Sequence, residues 1–152
     1  TPCRNSHEKG ANVYGAMSGL ILPGRQVFLV DTHVNIDPTA EELAAITLMA
    51  ASEMRKLGMT PKVALLSHSN FGSSDSSEAK LVAKAREIVK EREPNLVCDG
   101  EIQPLVAFNR EILRENYPFS ELVNGEPNVL IFPNLASGNI AYNLLQEVDT
   151  FF

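Results

Sequence analysis

Val63-Ala-Leu-Leu-Ser-His-Ser-Asn-Phe-Gly-Ser-Ser74 is an apolar run that ends abruptly in hydroxyls, one amide and one glycine. Its first half has the length and composition of a strand buried on both faces. Its second half is a loop suited to an anion. Gly72 lets backbone amides come close to a ligand, Ser67, Ser69, Ser73 and Ser74 can donate hydrogen bonds, and the helix that follows turns its positive end toward the same point. No glycine-lysine-serine/threonine ending follows, so this is not a Walker phosphate loop. A plainer reading stays open, in which the loop is a polar connection that only caps the next helix through Ser76 or Ser77.

Outward from this stretch the chain alternates. On the C-terminal side, residues 77–92 read as a helix with Leu81, Val82, Ala85, Ile88 and Val89 on one face. A short strand (96–99), a helix (104–115), a strand (129–132) and a last helix (137–147) follow. On the N-terminal side, residues 16–22 and 26–31 read as a hairpin, joined by Pro23-Gly24 in a type II turn. Asp37-Pro-Thr-Ala-Glu-Glu42 then opens a helix, with proline early in the first turn and carboxylates where the helix dipole favours them. That helix should run to about Leu57 and stop at Gly58, burying Leu43, Ile46, Ala50, Met54 and Leu57. Strands alternating with helices of this length imply right-handed crossovers: an α/β fold in three layers, with a largely parallel sheet and an N-terminal hairpin. In such sheets a ligand sits beyond the carboxyl ends of the strands. The serine loop, Asp99-Gly100-Glu101 and Pro133-Asn134 should all lie there.

With 152 residues, 44% of them hydrophobic, the chain has the length and core of one domain. A net charge of −6 argues against nucleic acid, which needs a basic face. No run of about 18 apolar residues and no signal-peptide pattern occurs, so a cytoplasmic protein is expected. Cys3 and Cys98 lack metal-site or disulfide-scaffold spacing and point to a reducing compartment. The chain opens on Thr1-Pro2 and closes on Phe151-Phe152, which reads as a piece of something longer; a natural terminus docked on its own domain is the alternative.

Asp99 and Glu101 flank a glycine and could serve proton transfer, metal binding or hydrogen bonding to a ligand, or could simply make a turn with a helix-start charge. Asp31 and Asn35 have the same ambiguity, with Asx-turn chemistry as the plain alternative. His7, His33 and His68 show no helical zinc spacing, and no metal site is expected. His68 could act as a base but lacks an evident orienting partner in sequence, so an exposed loop histidine is the simpler reading. No nucleophile elbow or Cys/His arrangement stands out. Arg25, at the hairpin tip, reads as exposed, though within reach of a coenzyme's phosphates.

Several ordered segments resemble one family. Val30-Asp-Thr-His-Val-Asn-Ile-Asp-Pro-Thr-Ala-Glu-Glu-Leu-Ala44, the Leu-Ser-x-Ser-x-x-Gly-Ser of the serine loop, Val97-Cys-Asp-Gly-Glu101 and Asn128-Val-Leu-Ile-Phe-Pro-Asn-Leu-Ala-Ser-Gly-Asn-Ile-Ala-Tyr142 look like a phosphate acetyltransferase domain. Asn70-Phe71, Ile21-Leu-Pro-Gly-Arg25 and Tyr117-Pro-Phe-Ser120 lean toward the form found at the C-terminal end of large bacterial NADP-dependent malic enzymes. The resemblance implies the second of two isopropylmalate-dehydrogenase-like lobes, with half of an acyl-CoA and phosphate cleft and no complete catalytic machinery. It implies a sensor for acetyl-CoA or a related acyl-CoA and a homodimerising lobe. NADP, a divalent metal (Mg or Mn) and malate would bind elsewhere in the parent. The ligand-facing groups it suggests are Ser67, Ser69, Gly72, Ser73, Ser74, Asp99, Gly100, Glu101, Asn134 and Asn139. The alternative function is a fragment of a working acetyl- or butyryltransferase.

Overall fold

The computed structural model describes residues 3–4, 15–22, 25–32 and 36–151. A two-residue strand, β1 (Cys3–Arg4), pairs with β2 (Gly15–Leu22), which forms an antiparallel hairpin with β3 (Arg25–Thr32). The pairing of Leu22 with Arg25 fits the expected tight connection; the turn residues Pro23 and Gly24 lie outside the described residues, as do His7, His33 and Asn35. Helix α1 (Ala40–Lys56) leads to β4 (Lys62–Leu66), α2 (Ser77–Arg92) and β5 (Val97–Ile102). Short helices α3 (Pro104–Ala107) and α4 (Arg110–Asn116) and a 3-10 turn (Glu121–Asn124) precede β6 (Val129–Ile131) and α5 (Leu135–Phe151).

The sheet order is β1-β2-β3-β6-β4-β5, and the last four strands are parallel. Insertion of β6 between β3 and β4 brings the loops after β4, β5 and β6 to the same end. Alternation along β4 sends Val63 and Leu65 to one face and Ala64 and Leu66 to the other. The first face packs on α1 and α2 through Leu43, Ile46, Met54, Val82, Ala85 and Val89. The second packs on α3, α4, the 3-10 turn and one side of α5. No helix among the described residues is long and apolar enough to cross a membrane.

Four sequence expectations are corrected. Proline does not enter the first turn of α1: Thr39 is the cap, its Oγ1 accepting from Glu42 N while Glu42 Oε1 accepts from Thr39 N, which places Pro38 before the helix. Leu57 lies past the last turn and is exposed, because the helix ends at Lys56 and Gly58 turns away at φ +79°. The segment 104–115 is two helices, broken at Phe108-Asn109, where Asn109 Oδ1 accepts from Ile112 N and starts the second. Strand β5 runs through Asp-Gly-Glu to Ile102, so these residues form the strand's end and do not follow it. A register shift beside Leu65 and Leu66 accommodates the extension, and Gly100 (φ +149°) lies so close to β4 that a Cβ would sit 2.5 Å from the Leu65 carbonyl oxygen.

The outer edge of β5 is covered by side chains. Arg86 Nε donates to the Cys98 carbonyl (3.3 Å), and Lys90 Nζ donates to that of Leu96 (2.7 Å). Both cations then reach Glu121, each at 2.8 Å.

Candidate functional site

The serine loop is tied down by its own hydroxyls. Ser69 is fully buried, and its Oγ accepts from Ser74 N (2.9 Å) and pairs with Ser73 Oγ (3.2 Å). Ser67 Oγ accepts from Ser69 N, and Ser73 Oγ accepts from Asn70 N. Ser74 Oγ accepts from Ser76 N, and Ser76 Oγ caps α2 through Ala79 N. The capping role is therefore real, and it belongs to Ser76. The other hydroxyls build a second, tighter turn before the helix, in which Phe71 (φ +46°) and Gly72 (φ +89°) occupy the left-handed region. Among the described residues Gly72 N–H has no hydrogen-bond partner.

Strand β5 is the wall of this loop. Ser67 N donates to the Ile102 carbonyl and Phe71 N to that of Glu101, while Gln103 N donates to Asn70 Oδ1. The carboxylates of Asp99 and Glu101 are both buried, at 4% and 3% exposure, and have opposite surroundings. Asp99 accepts from Gly100 N and Glu121 N at 3.0 Å each and lies 3.4 Å from Arg86 Nε. It is spent on protein groups. Among the described residues no hydrogen bond or ion pair reaches the Glu101 carboxylate.

Glu78 lies in the first turn of α2. It accepts from Asn134 Nδ2 (3.3 Å) and stands 4.0 Å from His68 Nδ1. His68, largely exposed, has Nε2 at 3.2 Å from Ser74 Oγ and 3.3 Å from Ser76 Oγ. The orienting partners that sequence could not supply are thus Glu78 and two loop hydroxyls. Asn134 Oδ1 also accepts from Ser137 N at the start of α5. Asn139 is exposed further along that helix, with no hydrogen bond to the loop among the described residues. Arg25, half exposed, pairs with Glu126 and lies 4.8 Å over the Phe108 ring. Cys98 is buried, and burial pushes its thiol up to about 12, with Arg86 pulling the other way and Asp99 adding to the rise. At neutral pH it is an inert thiol.

Residues 5–151 match the phosphate acetyl/butaryl transferase family. The chain belongs to that family. This phosphate acetyl/butaryl transferase-family chain is 50% identical, over 93% of its length, to the NADP-dependent malic enzyme of Haemophilus influenzae. It is 46% identical, over 92%, to that of Escherichia coli. It spans only 18% of each of these relatives. Among solved structures, a phosphotransacetylase from Streptococcus pyogenes superposes with a TM-score of 0.81 at 33% identity, covering 90% of this chain and 41% of that one. The family expected from the sequence motifs and the α/β architecture are both confirmed.

Proposed function

We propose that this chain is an acyl-CoA-sensing lobe of an NADP-dependent malic enzyme. Acetyl-CoA or a close relative binds against the serine loop and lowers malate oxidation at a site elsewhere in the parent protein. Glu101 carries the reading. A buried carboxylate without a partner costs free energy, and it is tolerable where a ligand supplies the donor. The amide N–H groups of an acyl-pantetheine arm are such donors. The hydroxyls of Ser67, Ser73 and Ser74, the free amide of Gly72 and the side chain of Asn134 line the approach for the acyl carbonyl or a phosphate. Asp99 and Gly100 act behind them, as framework. Asn139 contributes from the outer side of α5, where a second lobe or subunit would close the cleft. The parent works as a homodimer in the cytoplasm, and NADP, a divalent metal and malate occupy its other parts.

Sensing needs only that the ligand bind two states of the assembly with different affinity, so no transfer chemistry is required of this lobe. In the full-length protein, Ser73→Ala should weaken inhibition of malate-dependent NADP reduction by acetyl-CoA about tenfold, with turnover in its absence unchanged. Loss of turnover with unaltered inhibition would sink the reading. The superposition on a phosphotransacetylase favours a second reading, in which the same loop serves acetyl transfer between CoA and phosphate. Acetyl phosphate formation by the same preparation decides between the two.

A further inference from the structure

We propose that the aromatic cluster at the rim of the serine loop is a stacking platform for the planar base at the nucleotide end of an acyl-CoA. The inference rests on the acyl-CoA reading above and assigns the other end of that ligand. Phe71, Tyr117 and Phe119 come from two separate loops and meet with ring centroids 5.0 to 6.2 Å apart. Phe71 and Tyr117 are half buried against the second core, which fixes them. Phe119 stands at 75° to the Phe71 ring and 88° to that of Tyr117, and two-thirds of its surface is exposed.

The arrangement is held from below. Phe71 has a left-handed backbone that bulky residues rarely adopt, and its N–H is bonded to the Glu101 carbonyl. The ring is thereby joined to the strand end that contains Glu101. Donors flank it. Gln103 N holds Asn70 Oδ1, which leaves the Asn70 Nδ2 amide without a partner among the described residues, and the Gly72 N–H is open beside it. An exposed ring in contact with Phe71, whose chain neighbours Asn70 and Gly72 carry unpaired N–H donors, matches a base with phosphate oxygens attached better than it matches a purely apolar segment.

Isothermal titration of the full-length protein with acetyl-CoA and, separately, with acetyl-pantetheine, which lacks the nucleotide, tests this. Phe119→Ala should weaken acetyl-CoA about tenfold, as removal of a base-stacking ring does, and leave acetyl-pantetheine unchanged. Phe119→Trp, which keeps a face, should restore acetyl-CoA to within about twofold. Unchanged acetyl-CoA affinity in Phe119→Ala would overturn the platform while leaving the acyl-CoA reading intact, as would equal loss of both ligands. Wild-type protein that binds neither ligand would overturn both.

Discussion

Val63 and Leu65 point to one face of the central strand, Ala64 and Leu66 to the other, and the two faces are finished differently. Under α1 and α2 the first face is closed, with Leu65, Ala50, Met54, Val82 and Val89 fully buried. On the second, two short helices and one side of α5 leave a groove of about 810 Å³ lined by Leu66, Leu105, Phe108, Leu130, Phe132 and Leu144. Of the seven large exposed hydrophobics among the described residues, five (Leu105, Phe119, Ile140, Leu144 and Val148) belong to the second face's helices and loops. Two long helices with regular apolar stripes complete a layer by themselves. The broken helix α3–α4 cannot, because Asn109 interrupts its stripe after one turn. The stability of this chain should therefore reside mainly in the first face and the strands.

The largest expected effect pits the faces against each other. Leu65→Ala removes a fully buried side chain and should cost about 3 kcal/mol, whereas Leu105→Ala, at a position 71% exposed, should stay within about 0.5 kcal/mol. Urea midpoints of the two variants measure this; similar losses would mean that the open face is as well packed as the closed one. A smaller effect concerns the strut between the faces. Asp99→Asn weakens the link to Arg86, from the first face, and the hydrogen bond from Glu121 N, on the second, and should cost about 2 kcal/mol. A loss below about 0.5 kcal/mol would show that the faces hold together without it.

The last effect is nil at neutral pH and appears only in alkali. The Cys98 thiol ionises near pH 8.5 in an unfolded chain and is pushed up to about 12 in the folded one. Between these values the unfolded chain releases a proton that the folded chain keeps. This contribution is therefore intact below about pH 8.5 and declines as pH rises, by at most about 1.4 kcal/mol per pH unit. Denaturation of wild type and Cys98→Ala across that range should show the steeper decline in wild type. Parallel curves would mean that the thiol is less enclosed than its position under α2 implies.

Periodicity sufficed for the body of α1 and for α2, while β4 was marked by an uninterrupted apolar run and the hairpin by the Pro23-Gly24 pair. It failed where one residue type serves two purposes. Asp99-Gly100-Glu101 has turn composition, yet Gly100 was selected by the closeness of Leu65 on the neighbouring strand, a contact with no local signal. The serine loop was visible as a cluster of donors, but its division of labour was not. Composition cannot say that Ser76 caps the helix, that Ser69 is interred, or that Asp99 is consumed by Arg86 and Glu121 while Glu101 is left over. The link from Glu78 has no local signature, because a carboxylate in a first helical turn already has a sufficient explanation in the helix dipole. The bonding of Glu78 to Asn134 depends on β6 lying between β3 and β4, which no local pattern records.

The cover that Arg86 and Lys90 place on the carbonyls of Cys98 and Leu96 bears on how this chain can associate. An exposed strand edge invites another chain to add a strand, a route to uncontrolled polymerisation. On β5 that route is stoppered by two cations that share the Glu121 carboxylate, with Asp99 also beside Arg86. Growth of the sheet by strand addition is thus denied at this end, and a partner approaching there must engage helices and side chains, where recognition is selective.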